Sequence, residues 1–213
     1  MKCDKKQMLL YAVTDRSFCK KESLYEQVEK AIRGGVTCVQ LREKNLPQED
    51  FLEEAKRIGA LCRRFGVPLI INDNVEVAIR AGADGVHVGQ DDMSAEEVRA
   101  RVGEDMIIGV SAHSVEEAKK AHRNGADYLG VGAMFATSTK SDTHVLPKET
   151  LREICRAVPI PVVAIGGIGA SNLMELTGCG ADGVALVSAI FGAEDIEREC
   201  QKLRKLSEEM VRG

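Results

Sequence analysis

Gln40, Arg42 and Lys44 alternate within the stretch QLREK. In an extended chain Cys38, Gln40 and Arg42 share one face, with Lys44 just beyond, while Val39 and Leu41 take the other. Burying Gln and Arg in a strand is costly without partners. Two cations on one face repel unless an anion sits between them. An ion pair would account for Arg42 alone but not for the ladder. Two carboxylates stand at comparable places further on, Asp73 after Asn72 and Asp92 after Gly89, Gln90 and Asp91. Paired carboxylates with amide company suit a hard cation such as Mg²⁺, which keeps several waters and shares substrate phosphates. Taken singly, each Asp is equally explained as the N-cap of a following helix. Gly166-Gly167 and Val187-Ser188 form a third group. There glycine lets backbone N–H groups approach an anion and serine adds a hydroxyl, although a tight turn alone would also call for the glycines. GIGASN (167–172) lacks the third glycine of a dinucleotide fingerprint, and no G-K-[ST] occurs, so neither nucleotide-loop motif is present.

These residues need elements to hold them. A recurring junction supplies those elements: a helix-like segment ends in Gly, a short polar step follows, and a β-branched run begins. It recurs in GGVTCVQL (34–41), FGVPLII (65–71), AGADGVHVG (81–89), NGADYLGVG (124–132) and CGADGVALV (179–187). Gly after a helix takes the left-handed cap, and Val/Ile/Leu runs suit buried parallel strands. LLYAVTD (9–15), DMIIGVS (105–111) and IPVVAIGG (160–167) bring the strands to eight. Apolar stripes at helical spacing lie between them, such as Leu24, Val28, Ala31 and Ile32, or Ile196, Cys200, Leu203 and Met210. Ser94 with Glu97 and Ser114 with Glu117 have the spacing of capping boxes. Eight alternations in 213 residues leave about 27 residues per unit, enough for a single-domain (β/α)₈ TIM barrel over residues 1–213. A doubly wound open sheet fits less well, because no switch point is visible.

A barrel gathers chemistry at the C-terminal ends of its strands. Those ends carry Thr14-Asp15-Arg16, QLREK, Asn72-Asp73, Gly89 to Asp92, Ser111-Ala112-His113, Gly166-Gly167 and Val187-Ser188. One connection is long: residues 132–146 are rich in hydroxyls and carry Lys140. Long loops in compact domains are commonly functional. The residues alone thus predict a metal-assisted polyphosphate site at the second to fourth strands and a monophosphate site at the seventh and eighth.

Composition narrows the alternatives. A net charge of −4 disfavours electrostatic binding of nucleic acid. No apolar run is long enough for a membrane helix, and the opening MKCDKKQMLLYAVTD lacks a signal-peptide cleavage site. The seven cysteines include no C-x-x-C pair, and the four histidines form no H-E-x-x-H. Reduced thiols in a cytoplasmic protein are therefore expected, without disulfides or structural zinc.

YAVTD, QLREK, IND, GADGVHVGQDDM, GVSAHS, GADYLGVGAMFATSTK, VVAIGGI and GADGVALVSAI, in this order, resemble the thiamine-phosphate synthase family from about residue 10 to 192. The resemblance implies a (β/α)₈ transferase of thiamine biosynthesis. Such an enzyme joins a hydroxymethylpyrimidine diphosphate to a hydroxyethylthiazole phosphate and releases diphosphate. Carried over by position, Gln40, Leu41, Arg42, Glu43 and Lys44, with Asn72, would hold the pyrimidine diphosphate. Asp73 and Asp92 would bind Mg²⁺, and Ser111 and Lys140 would also face the pyrimidine diphosphate. Thr137, Ser138 and Thr139 would meet the thiazole phosphate together with Gly167, Val187 and Ser188. Arg42, Lys44 and Lys140 would neutralise the departing diphosphate, and a dissociative, SN1-like path is expected. Cys38 and His113 receive no catalytic part, although His113 is expected to orient Ser111 or Asp92. Ala133 and Ala136 depart from the family, many members of which carry Pro there.

Two other readings stay open at this point. A thiazole tautomerase-like barrel would share the monophosphate pocket, but the resemblance leads one to expect a His near the end of the sixth strand, and YLGVGAMF has none. A non-catalytic sensor of thiamine precursors would be expected to have lost charged site residues. Small-molecule substrates are the expected partners, and the oligomeric state, homo-oligomer included, is left open.

Overall fold

The computed structural model describes residues 3–137 and 144–213. Its eight strands close in sequence order into one parallel barrel. They are β1 (Leu10–Val13), β2 (Cys38–Leu41), β3 (Leu69–Asn72), β4 (Gly85–Val88), β5 (Ile107–Ala112), β6 (Tyr128–Val131), β7 (Val162–Ile165) and β8 (Gly183–Leu186). Six helices follow the first six strands: α1 (Leu24–Arg33), α2 (Gln48–Phe65), α3 (Val75–Ala81), α4 (Ala95–Val102), α5 (Val115–Arg123) and α6 (Lys148–Ala157). The alternation then changes. Between β7 and β8 the chain makes only a 3₁₀ turn, Leu173–Leu176, where the sequence pattern predicted a full helix. After β8 come one helical turn, α7 (Ser188–Phe191), and the long α8 (Ile196–Arg212). α8 packs on α1 and on the 3₁₀ turn, so it covers the side of the barrel that the missing helix leaves open.

Strand alternation divides the core in two. Val39, Leu41, Ile71, Val86, Leu129 and Val184 point outward into the layer beneath the helices. Tyr11, Val13, Cys38, Ile70, Tyr128 and Val163 point inward and fill the barrel. Cys3 and Met8, the latter on a 3₁₀ turn capped by Asp4, belong to this inner cluster and close the end opposite the site. Two bulky inward rings fit because glycine stands beside them. A Cβ at Gly109 would overlap the Tyr128 ring, and one at Gly130 would come within 3.1 Å of His87 Cε1.

The Gly-Ala-Asp junctions have a distinct job. Asp84, Asp127 and Asp182 precede β4, β6 and β8. Each accepts the N–H of a residue at the start of the previous strand, Leu69 at 2.8 Å, Ile108 at 2.8 Å and Val162 at 2.9 Å. Their own N–H groups donate to the carbonyls of the same three residues. Thr37, before β2, does the same for Leu10 through its hydroxyl at 2.9 Å and its N–H at 2.8 Å. Clamps of this kind at the N-terminal face contribute stability, away from the chemistry.

Helix starts follow the local sequence. Ser94 and Glu97 form the expected capping box on α4, and Ser23 and Glu26 form another on α1. Ser114 caps α5, but Glu117 departs from the box: its carboxylate takes the N–H of His113 at 2.7 Å instead of that of Ser114.

Candidate active site

A cavity of about 180 Å³ opens among the C-terminal strand ends. Gln40, Arg42, Asn72 and Ser111 line one part of it; Thr137, Gly167, Val187 and Ser188 line another. Val13, Val163, Ile165 and Ala185 supply apolar wall. Residues assigned from the sequence to both expected anion sites thus line one space, whereas Lys44, Asp73 and Asp92 are not among its lining residues. Ser138, Thr139 and Lys140 lie outside the described residues.

β2 delivers the ladder. Gln40 is 6% exposed and donates from Nε2 to Tyr11 Oη at 2.9 Å. Arg42 leaves the strand with its N–H on Thr14 Oγ1 (2.9 Å) and its guanidinium 4.0 Å from Asp15. Lys44 Nζ reaches Asp73 Oδ2 at 2.5 Å. The two odd members of QLREK turn elsewhere. The Leu41 side chain is buried beneath the helices. The Glu43 side chain is 4% exposed and held by Arg16 at 2.7 Å, which also binds Glu54 at 2.9 Å. Neither residue is among those that line the cavity. Their side chains are placed by the strand's alternation, which sends Leu41 outward.

The carboxylates are not helix caps. Asn74 caps α3 by accepting from Val77 N–H at 2.9 Å, and Ser94 caps α4. Asp73 instead sits one residue past β3 with φ 61°, a left-handed conformation uncommon outside glycine and asparagine. Its N–H donates to the His87 carbonyl at 2.8 Å, and Asn72 Nδ2 donates to its Oδ1 at 2.7 Å. Asp92 Oδ2 closes the turn after β4 by accepting from Gly89 N–H at 2.8 Å. Burial, and secondarily the adjoining Asp92 carboxylate, push Asp73 above the usual carboxylate range, although Lys44 pulls the other way. Among the described residues no group of three or more His, Cys, Asp or Glu is arranged for a metal. A pair of this kind suits an ion that completes its shell from water and phosphate oxygens.

Two placements differ from expectation. His113 meets neither Ser111 nor Asp92; its Nδ1 pairs with Glu117 at 3.2 Å on the exposed rim. The histidine beside Ser111 is His87, from β4, with Nε2 3.0 Å from Ser111 Oγ. His87, Tyr11 and Tyr128 all line the cavity and were not singled out from the sequence. Their signal was present: LYAV, GVHV and YLGV each put a ring with a polar tip at an inward position.

At the other side, Gly166 and Gly167 have φ 95° and 66°. A Cβ on Gly167 would come within 2.5 Å of the Ala136 carbonyl and 2.7 Å of that of Phe135. The segment after β6 is stitched to this bend by Met134 N–H on Ile165 and Phe135 N–H on Gly166, at 2.9 and 3.0 Å. Gly167 thus has a packing reason of its own, besides opening the backbone toward the cavity. Ser188, at the start of α7 just past the neighbouring strand β8, lines the same cavity.

The family model described as thiamine monophosphate synthase matches residues 10–190. The chain belongs to the thiamine monophosphate synthase family. Relatives named thiamine-phosphate synthase include that of Clostridium tetani, 50% identical over 91% of this chain and 93% of its own. That of Methanobrevibacter smithii is 47% identical over 92% and 93%. The solved thiamine phosphate pyrophosphorylase from Pyrococcus furiosus superposes with a TM-score of 0.90 at 40% identity, covering 97% of this chain and 98% of its own. As a member of the thiamine monophosphate synthase family the chain is a transferase of thiamine biosynthesis acting on small molecules. No helix among its described residues is long and apolar enough to cross a membrane.

Proposed function

We propose that the chain joins hydroxymethylpyrimidine diphosphate to hydroxyethylthiazole phosphate by a dissociative step assisted by Mg²⁺ at Asp73 and Asp92. The observation that carries this reading is the single cavity. Polar groups fit for a diphosphate-bearing ring and a Gly/Ser end fit for a monophosphate open into the same space, as a two-substrate transfer requires.

In this reading Gln40, Asn72 and Ser111 hold the pyrimidine, and Arg42 and Lys44 meet the diphosphate. Thr137, Gly167, Val187 and Ser188 hold the thiazole phosphate. Ser138, Thr139 and Lys140 are assigned on sequence resemblance alone. When bound, Mg²⁺ would supply positive charge against the diphosphate oxygens. The C–O bond breaks with its electron pair leaving on diphosphate, and Arg42 and Lys44 offset the charge that develops there. The aminopyrimidine delocalises the resulting cation while Val13, Val163, Ile165 and Ala185 keep bulk water from it. The thiazole nitrogen, which bears no proton, donates its lone pair to form the C–N bond. No protein nucleophile is required, and burial pushes the Cys38 thiol well above its ordinary range, away from thiolate chemistry.

The test is an end-point assay with both substrates and Mg²⁺, oxidising the product to fluorescent thiochrome. A signal that needs both substrates, disappears with EDTA and is lost in Asp92→Ala supports the reading. Product formation indifferent to EDTA would remove the metal from it.

A further inference from the structure

A chain of hydrogen bonds crosses the barrel interior and has a direction. Gln40 Nε2 can only donate, and it donates to Tyr11 Oη. Tyr11 Oη lies 2.7 Å from Tyr128 Oη. Burial pushes both phenols well above their ordinary range, so each keeps its proton. The buried Tyr11 proton itself needs an acceptor, which Gln40 Nε2 cannot be; Tyr128 Oη, 2.7 Å away, offers one, and that direction gives each hydroxyl a donor and an acceptor. Tyr128 in turn donates to His87 Nδ1 at 2.9 Å. A neutral imidazole that accepts at Nδ1 carries its proton on Nε2. That atom faces Ser111 Oγ at 3.0 Å. Ser111 therefore accepts from His87, and its own proton is directed into the cavity it lines.

We propose that His87, locked in its Nε2–H form through Tyr128, Tyr11 and Gln40, is a positioning residue that makes Ser111 a hydrogen-bond donor toward a lone pair on the pyrimidine substrate. This inference rests on the functional reading above for the identity of that substrate. The tautomer itself does not. The five residues come from β2, β1, β6, β4 and β5, and all are at least half-buried. The rings are held by their neighbours: Tyr11 and Tyr128 meet edge-on at 5.9 Å between centroids, and His87 lies 5.5 Å from Tyr128. Ser111 is thus aimed by a rigid interior, not by a loop. A substrate lone pair at that place is rewarded, and a substrate N–H there would face the Ser111 proton.

The first measurement is ¹⁵N NMR of the full chain labelled at histidine, with His87 assigned by its absence in His87→Asn. Expected at neutral pH is an unprotonated Nδ1 and a protonated Nε2. The opposite tautomer, or an imidazolium, would overturn the proposal without touching the assigned reaction. The second is kinetic. The Gln amide nitrogen can take the place of Nε2, whereas that of Asn falls short of it. His87→Gln is expected to keep kcat within about threefold, while His87→Asn and Ser111→Ala each lower it about tenfold at unchanged thiazole-phosphate KM. The double variant is expected to be no worse than either single one. Equal losses in Gln and Asn variants, or additive losses in the double variant, would overturn the positioning role. Tyr128→Phe, which changes only one hydroxyl, is expected to leave His87 as a mixture of tautomers. Binding of the pyrimidine alcohol and of inorganic diphosphate to Ser111→Ala locates the lone pair: weakened alcohol binding supports the proposal, and weakened diphosphate binding alone overturns it. A wild-type chain without synthase activity but with the expected tautomer would refute the functional reading and, with it, the substrate assigned to Ser111.

Discussion

Lys44 Nζ holds Asp73 Oδ2 at 2.5 Å, so the cation we assign to the diphosphate and a carboxylate we assign to Mg²⁺ are paired with each other. On that assignment a metal ion and the ammonium would compete for the same oxygen, and ligand entry is expected to part the pair. Lys44→Gln is expected to strengthen Mg²⁺ binding to the free chain severalfold by removing the competitor. It should also raise KM for the pyrimidine diphosphate by about tenfold or more, since one charge-assisted contact is lost. Calorimetric Mg²⁺ titration and steady-state kinetics read the two effects separately; weaker Mg²⁺ binding in the variant would contradict the competition.

Asp73 gives a pH signature. Its folded pKa is raised, first by burial and then by Asp92, above the value it has in the unfolded chain. The folded state then binds the proton more tightly. The contribution to stability is present below the unfolded value and is lost as pH rises through the folded one. Asp73→Asn removes that loss and keeps the left-handed backbone, which Asn tolerates. The variant is expected to melt at the same or a higher temperature than wild type above the carboxylate range, while losing Mg²⁺-dependent turnover. In the wild type, protonation of Asp73 competes with the metal, so the acid limb of the rate profile should lie above that of an ordinary carboxylate and move down as Mg²⁺ is raised. An acid limb insensitive to Mg²⁺ would argue against Asp73 as a ligand.

Gly167→Ala tests the other half of the cavity. The new Cβ would press on the Ala136 and Phe135 carbonyls at a φ of 66°, so the segment after β6 must shift. Thiazole-phosphate KM is expected to rise about tenfold or more, with pyrimidine-diphosphate KM changed less and stability lowered by about 1–3 kcal/mol. Equal effects on both substrates would say that this bend serves the whole cavity.

The barrel's opposite face should affect stability without affecting chemistry. Asp127 Oδ2 accepts both Ile108 N–H at 2.8 Å and Arg99 Nη2 at 2.6 Å. Asp127→Ala would leave a part-buried guanidinium and a strand N–H short of a partner, costing about 2–3 kcal/mol in urea unfolding while kcat stays near wild type.

Much of this was legible in the chain because its strands obey period two. The alternation of QLREK fixes which of its side chains enter the barrel and which face α-helices, and the Gly-terminated junctions mark where five of the eight strands begin, β2, β3, β4, β6 and β8. The Asp73–Asp92 pair was legible as two strand ends, but not as a pair freed from capping, since that depends on Asn74 and Ser94 taking the caps. Tyr11, His87 and Tyr128 escaped because their partners lie 24 to 117 residues away. Nothing local sets one polar ring against another across a barrel; only closure does. Ser114 with Glu117 misled for a related reason, as a carboxylate with two N–H groups in reach chose His113. The missing helix before β8 could not be foreseen from spacing, because α8 returns from the end of the chain to cover that side.

The clamps at Thr37, Asp84, Asp127 and Asp182 join β1 to β2, β3 to β4, β5 to β6 and β7 to β8, and skip the strand contacts between those pairs. The cylinder is therefore assembled from four quarters, each a strand, a crossing segment and a strand tied at its base. Such a molecule has preferred places for relocated chain ends. Circular permutants opened in α2 or α4 keep every quarter continuous, whereas those opened in α1 or α3 ask two distant ends of the polypeptide to find each other before a quarter can close.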